Sequence, residues 1–273
     1  MNAPSSHVPP RPQRREGPLA RALALVRLLA AAGRSGAALS TLAQQTGLPP
    51  STVHRLLAHL LSERLAIQLE EGRRYAIGPL AYELGLVAAQ QFDIRALCRP
   101  ALERLAAETA ETVYLLQRSG NEAVCLDLQQ GPTTIRVVTL QVGSRRPLGL
   151  GAGGLAILAA LPAAEGDELL DALAPVIERD WGFPSELLRG SVVESREQGF
   201  ALIRNRITPG VTAIGMSFND SLGHVFGAIT VAGLNARMAA ARLQGHRERL
   251  ARATAQIERT LRGQSWARYE TRT

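Results

Sequence analysis

The stretch Gly149-Leu150-Gly151-Ala152-Gly153-Gly154 fits GxGxxG, the spacing with which a glycine-rich turn lays backbone N–H groups on a pyrophosphate. A dinucleotide site also needs a strand before the glycines, a helix and a second strand after them, and an acid about 20 residues on. Here the helical pattern from Leu155 to Leu161 runs into Pro162 and then into more helical sequence, Glu165 to Leu173. Asp171 falls inside that helical pattern rather than at a strand end. The glycines read instead as a close-packed turn, or as backbone N–H groups at a helix start that cradle an anionic effector group such as a carboxylate. Arg204 and Arg206 alternate onto one side of a strand pattern, where they are either solvated or in contact with an anion.

Catalytic groupings do not emerge elsewhere. Gly215-Met216-Ser217-Phe218-Asn219 lacks the spacing of a nucleophile elbow, and no His-Asp pair stands beside it. Cys98 and Cys125 are far apart in the chain and are expected to be buried thiols rather than a bridge or a metal site. The histidines His7, His54, His59, His224 and His246 show no metal-ligand spacing, and His54 and His59 are out of register for one helix face. The expectation is no catalytic residue, no metal and no cofactor.

The residues from Pro49 to Leu60 carry a different chemistry. Val53, Leu56, Leu57 and Leu60 form an i, i+3, i+4, i+7 apolar stripe, while Ser51, Thr52, His54, Arg55, Ala58 and His59 occupy the opposite face. A recognition helix in a DNA major groove needs this division: one face docks on its own domain, and polar residues near the N-terminus reach base edges and phosphates. Pro50 suits a first helical position, where its missing N–H would have no partner anyway.

The elements that must position this helix surround it. A first helix is read from Leu19 to Ala31 and ends at Gly33, Ser35 and Gly36. Ser40 reads as the N-cap of a short second helix, Thr41 to Gln45, closed by Gly47. Beyond the recognition helix, Leu65 to Leu69 alternates as a strand, Glu70-Glu71-Gly72 turns, and Arg73 to Ile77 returns as a wing with Arg73 and Arg74 near its tip. Helix, helix, turn, helix and hairpin in this order spell a winged helix-turn-helix. The candidate DNA contacts are Ser40, Pro50, Ser51, Thr52, His54, Arg55 and His59, with Arg73 and Arg74 entering the minor groove.

Charge supports this reading. The chain of 273 residues has a net charge of +7, and all 31 basic residues are arginine. Residues 1–80 hold ten Arg against four Glu, whereas residues 81–273 hold 21 Arg against 20 carboxylates. A basic segment beside a near-neutral one marks a nucleic-acid-binding domain fused to something else. With 46% apolar and 20% charged residues, the chain is ordinary for a globular protein with true cores. No apolar run is long enough to span a membrane, and Met1 to Pro18 lacks an apolar h-region, reading as a disordered arm rather than a signal peptide. The expected compartment is therefore the cytoplasm.

After the wing, Leu80, Leu84, Leu86 and Val87 lie on a helix that links two halves, and Ile94 to Leu105 forms a longer amphipathic helix. Strands are predicted at Val113–Gln117, Ala123–Leu128, Ile135–Leu140, Phe200–Asn205, Thr212–Phe218 and Val225–Ala232. Helices are predicted at Gly153–Leu161, Glu165–Leu173, Pro184–Gln198 and Met238–Arg262. Antiparallel strands flanked by helices make an α+β class.

Leu19 to Gly78, and above all Leu48-Pro49-Pro50-Ser51-Thr52-Val53-His54-Arg55-Leu56-Leu57, resembles the DNA-binding domain of the isocitrate lyase regulator (IclR) family. Gly143-Ser144-Arg145-Arg146-Pro147-Leu148, Gly199-Phe200-Ala201, Pro209-Gly210-Val211, Gly223 and the strand Ala228 to Gly233 extend the resemblance over roughly residues 19–263. It implies a winged helix-turn-helix, a linker helix and a GAF-like effector-binding domain, in dimers or dimers of dimers that answer to small metabolites, often organic or aromatic acids. By the same resemblance the effector pocket involves Leu148, Gly151, Ala152, Gly153, Arg204, Asn205, Ala213, Thr230 and Ala232. The chain departs from the family there. Gly149 to Gly154 replaces a Leu-His-Ala-Thr/Ser run, Ile203 stands at an acidic position, Ala213 at a cysteine of some members, and Thr230 and Ala232 at a serine pair.

The expected organisation is an arm at 1–18, a winged helix-turn-helix at 19–79, a linker helix at 80–93, an effector-binding domain at 94–263 and a tail at 264–273. The expected partners are double-stranded operator DNA, a small organic effector and a second copy of the chain in a dimer or tetramer, with no membrane. The rival readings are a nucleotide-cofactor enzyme using Gly149–Gly154 and a repressor that needs no effector.

Overall fold

The computed structural model describes residues 17–69 and 73–262. The expected arm as far as residue 16, the turn Glu70-Glu71-Gly72 and the tail 264–273 lie outside the described residues. The chain divides into two compact units, one through Gly85 and one from Leu86.

In the first unit, α1 (Pro18–Ala32), α2 (Leu39–Thr46) and α3 (Pro50–Ser62) pack around Leu25, Leu29, Leu42, Val53 and Leu57, none of which has any exposed surface. Each such side chain contributes about 1.5–3 kcal/mol of burial. Two strands return beside them, β2 (Ala66–Leu69) and β3 (Arg74–Ile77), paired antiparallel from Ala66↔Ile77 to Leu69↔Arg74. A short strand that periodicity did not signal, β1 (Ala37–Ala38), pairs with the other edge of β3 and makes the wing three-stranded. This pairing corrects the expected cap. Because the chain stays extended through Ala38, α2 begins at Leu39 with Ala38 at the N-cap position, and Ser40 lies within the first turn, exposed, rather than capping it.

Helix α4 (Pro79–Phe92) spans the division between the units. The second unit is built on a six-stranded antiparallel sheet in the order β6-β5-β4-β9-β8-β7. Its strands are β4 (Thr112–Ser119), β5 (Glu122–Gln130), β6 (Arg145–Pro147), β7 (Ala201–Arg204), β8 (Val211–Asn219) and β9 (Val225–Leu234). Two helices, α5 (Ile94–Thr109) and α9 (Ala240–Arg262), bury Val113, Leu115, Ile229 and Val231 on one face. Three others, α6 (Gly151–Ala160), α7 (Ala163–Trp181) and α8 (Ser185–Gln198), cover Tyr114, Leu116, Ala228 and Ala232 on the other. The period-2 alternation of β4 and β9 thus feeds two separate cores.

Three further expectations need correction. The segment Ile135–Leu140 is not a strand. Side chains, not a neighbouring strand, serve its backbone. Tyr114 Oη donates to the Val137 carbonyl and accepts the Thr139 N–H, each at 2.9 Å. Arg146 and Arg237 donate to the carbonyls of Thr139 and Ile135 at 2.8 and 2.9 Å. Helix α7 runs on through Pro175 to Trp181 instead of ending near Leu173. Burial of Ala174 just before the proline and of Ile177 just beyond it offsets a cost of about 3 kcal/mol. Finally, β7 stops at Arg204 because Asn205 turns left-handed (φ 56°), so Arg206 is not on a strand and does not share a strand face with Arg204.

Cys98 and Cys125 are buried free thiols. Burial, and next the negative charge of Asp127, pushes both up to about 12. Since the thiolate is the reactive form, neither thiol is expected to react with an aromatic disulfide reagent at pH 8 in the folded protein, whereas both react in denaturant. Rapid stoichiometric labelling of the native chain would contradict this burial.

Candidate functional site

Two regions gather the candidate functional residues, one in each unit. In the first unit, Gly47 in the left-handed region (φ 66°) closes α2 and turns the chain toward α3. Leu48 packs on the three-helix core beneath this turn. Burial of Val53, Leu57 and Leu60 fixes which way α3 faces, leaving Ser51, His54, Arg55, Ala58 and His59 exposed and Thr52 half-buried. No side chain caps the N-terminus of α3, so none competes there with a phosphate for the helix dipole. Pro50 is exposed at the start of the helix, and Ser40 is exposed on α2.

The two wing arginines have different roles. Arg73 sits exposed in the turn before β3 with φ 52°. Arg74 is committed to the fold: its Nε and Nη2 donate to the carbonyls of Ser35 and Gly36, both at 2.7 Å. Gly36 is required at that point, because a β-carbon there would sit 2.6 Å from the Tyr75 carbonyl oxygen.

In the second unit a cavity lies between the sheet and the N-terminus of α6. It is partly open to solvent and leaves about 50 Å³ for the centres of water-sized spheres. Strand register builds its floor. Ile203, Ala213 and Ala232 line up across β7, β8 and β9, and Tyr114 and Thr230 lie opposite one another on β4 and β9. The glycine-rich stretch forms the wall: Gly151, Ala152, Gly153 and Gly154 all face the cavity. Helix α6 is followed by α7 and α8, not by a parallel strand, so the unit a dinucleotide site requires is not formed around these glycines.

Of the effector-pocket residues implied by the resemblance, Gly151, Ala152, Gly153, Ala213, Thr230 and Ala232 line this cavity. Leu148 lies fully buried in the core outside the lining. Arg204 and Asn205 are exposed and also outside it. The side-chain oxygen of Asn205 accepts from the Gly210 N–H at 2.9 Å and from Asn235 Nδ2 at 2.6 Å, so the residue shapes the turn between β7 and β8.

The polar group that sequence reasoning passed over is Arg146. It is half-buried on β6, and its Nη2 donates to the Thr139 carbonyl at 2.8 Å. Its guanidinium carbon is 5.6 Å from the centre of the Trp181 ring. A β-carbon on Gly151 would be 3.8 Å from Nη1, so the guanidinium lies at the start of α6. No carboxylate among the described residues pairs with it. Burial lowers its pKa below the usual arginine value, the signature of a cation taken out of water without full compensation. The hydroxyl of Thr230, also in the lining, is buried and without a hydrogen-bond partner. An otherwise apolar cavity therefore holds a cation with no carboxylate partner among the described residues, an unused hydroxyl and the positive end of a helix. That combination suits a small anion with an apolar body.

No group of His, Cys, Asp and Glu among the described residues is placed to hold a metal ion, and no helix is long and apolar enough to cross a membrane.

The comparisons with known proteins agree along the chain. The pattern of the IclR helix-turn-helix domain matches residues 18–70, and that of the bacterial transcriptional regulator IclR C-terminal domain matches residues 86–259. The HTH-type transcriptional regulator KipR of Bacillus subtilis is 30% identical over 225 residues, covering 82% of this chain and 89% of its own. A putative IclR transcriptional regulator from Silicibacter sp. superposes with a TM-score of 0.77 at 24% identity, over 91% of this chain and 97% of that one. An IclR homolog from Microbacterium hydrocarbonoxydans, solved in complex with 4-hydroxybenzoate, superposes with a TM-score of 0.66 at 22% identity, over 91% and 100%.

The wing gives a direct test. Arg74→Ala removes two charge-assisted bonds to backbone carbonyls and is expected to destabilise the first unit by about 1–2 kcal/mol. Arg73→Ala is expected to leave thermal unfolding unchanged. Equal melting temperatures for the two variants would remove the structural role assigned to Arg74.

Proposed function

The chain belongs to the IclR family of bacterial transcriptional regulators, and we propose that a small organic acid held at Arg146 sets its affinity for operator DNA. The observation that carries the reading is a half-buried guanidinium, without a carboxylate partner among the described residues, set in an apolar cavity at a helix start. The carboxylate would accept from Arg146 and from the first amides of α6, and Thr230 would donate to a second polar group. Leu116, Leu140, Leu150, Ile203 and Ile207 would cover the apolar body. The Microbacterium protein's 4-hydroxybenzoate is a molecule of this kind.

On the DNA side, α3 would enter the major groove with Arg55 as the principal base or phosphate contact and Pro50, Ser51, Thr52, His54 and His59 beside it. Ser40 would meet the backbone, and Arg73 the minor groove. Two copies would present two such helices to successive half-sites. The exposed apolar side chains of α4, Tyr82, Leu84, Leu86 and Val87, support a second copy of the chain as partner. In this reading α4 is the linker through which the effector acts, and it acts by favouring one disposition of the DNA-binding units over another.

Two measurements test the two halves. In a gel shift with DNA upstream of the protein's own reading frame, Arg55→Ala is expected to weaken binding about tenfold or more, the loss of one good base contact. Binding equal to the parent would sink the assignment of α3. In calorimetry, 4-hydroxybenzoate is expected to bind the parent at least about tenfold more tightly than 4-hydroxybenzamide, and Arg146→Gln to abolish that preference. If acid and amide bind alike, or Arg146→Gln keeps the preference, the anion does not sit at Arg146.

A further inference from the structure

A second cavity opens on the other side of the sheet, where the C-terminal end of α5 meets the first turns of α9. Its walls include Glu108, Glu111, Arg237, Arg242, His246 and Arg249. The charges in it do not balance. Glu111, only 2% exposed, is held by Arg237 through Nε at 2.7 Å and Nη2 at 2.9 Å. Glu108 is shared between Arg249 and Arg252 at 3.8 and 3.6 Å. Arg242 has no carboxylate partner among the described residues. With Glu111 matched to Arg237 and Glu108 to Arg249, the charge of Arg242 is left over.

His246 is the anomaly that gives the cavity a purpose. It is 95% buried, with 5% of its surface exposed, and neither ring nitrogen has a well-formed hydrogen bond. The Arg237 carbonyl is near enough to act on the ring and can serve one nitrogen at most. Leaving a buried donor or acceptor unmade is costly, and the ring that carries these buried nitrogens lies in the wall of an open cavity. The local backbone points the same way. The first turn of α9 contains no acidic residue, so no side chain of its own neutralises the positive helix end. Gly245 lets Arg249 lie across the helix, since a β-carbon there would be 2.8 Å from Nη1.

We propose that this cavity is a second ligand site, which binds the phosphate-like oxyanion of a small metabolite. Arg242 supplies the unmatched charge, Arg249 adds a guanidinium that it shares with Glu108, and His246, protonated beside the bound anion, donates from the ring nitrogen that the Arg237 carbonyl does not serve. A tetrahedral oxyanion offers an acceptor oxygen to each of these three donors and one more toward the helix start. A carboxylate has only two oxygens and would leave part of the set unused. The site lies in the same unit as the organic-acid cavity but shares none of its lining. Its occupancy does not depend on what binds at Arg146.

Inorganic phosphate is the probe, titrated into the full chain by calorimetry and by thermal unfolding, with sodium chloride matched in ionic strength as control. Phosphate is expected to bind saturably and to raise the melting temperature above the chloride control. Binding is expected to weaken about tenfold or more in Arg242→Ala and in His246→Gln, the loss of one charge-assisted contact. Arg55→Ala, which alters only the DNA-binding helix, is expected to bind phosphate as the parent does. Should His246→Gln fail to fold, the exposed Arg242→Ala decides. A phosphate response no larger than chloride overturns the proposal. So does unchanged affinity in Arg242→Ala, or loss in Arg55→Ala alone, which would place the anion on α3.

Discussion

The second unit depends on how closely α6 approaches the sheet. A β-carbon at Gly215 would lie 2.4 Å from the Ala152 carbonyl oxygen, and one at Gly153 would lie 2.0 Å from Leu116 Cδ1 and 2.6 Å from Thr230 Oγ1. None of these distances is possible for a real side chain: helix and sheet meet backbone to backbone at Gly215, and Gly153 makes room for Leu116 and Thr230. This contact sets α6 with its N-terminus over β4, β8 and β9. Behind it, Leu155, Ile157 and Leu158 are wholly buried and anchor the helix. The cavity is what remains where the first turn of α6 overhangs small floor residues, Ala213, Thr230 and Ala232. The glycines thus perform a packing task and, through it, set a helix end against the cavity.

Electrostatic pairing divides the buried charged and polar groups of the second unit into two kinds. Asp127 is buried and lies between Arg95 and Arg99 at 3.8 and 3.2 Å. Glu111 is buried and held by Arg237. Each carboxylate has a cation beside it, as burial demands. Arg146 and His246 break the rule in opposite corners of the same unit, one lacking a counter-ion and the other lacking hydrogen-bond partners. The segment 131–144 lies between these regions and takes bonds from both Arg146 and Arg237. Its irregular path is a consequence: side chains, rather than a neighbouring strand, satisfy its backbone.

The first unit is simpler because its core and its working surface are the two faces of one helix. The packing that buries Val53, Leu57 and Leu60 leaves Ser51, Arg55 and His59 exposed. The basic excess of residues 1–80 adds a field that favours a polyanion before any base is read. Both wing arginines are exposed, and Arg74 is tied back to the carbonyls of Ser35 and Gly36.

Local patterns were enough to read α3, its apolar stripe, its proline start and its polar face, because helix periodicity and capping are set within a few residues. The same held for the alternating strands β4, β8 and β9, and for the reading of Gly149–Gly154 as a helix start rather than a dinucleotide turn. What the sequence could not specify depended on partners distant in the chain. That Arg74 bonds the carbonyls of Ser35 and Gly36 depends on β1 pairing with β3. The apolar run at Ile135 resembles a strand until Tyr114, Arg146 and Arg237 claim its backbone. Arg146 stands in a basic triplet with no mark of its own, and it becomes the cation of a cavity only when β6 pairs with β5 beside the start of α6. Its lack of a counter-ion, like the orphaned nitrogens of His246, is a property of three-dimensional surroundings. Periodicity records which face of an element is buried; only tertiary packing determines which buried polar groups are left without a partner.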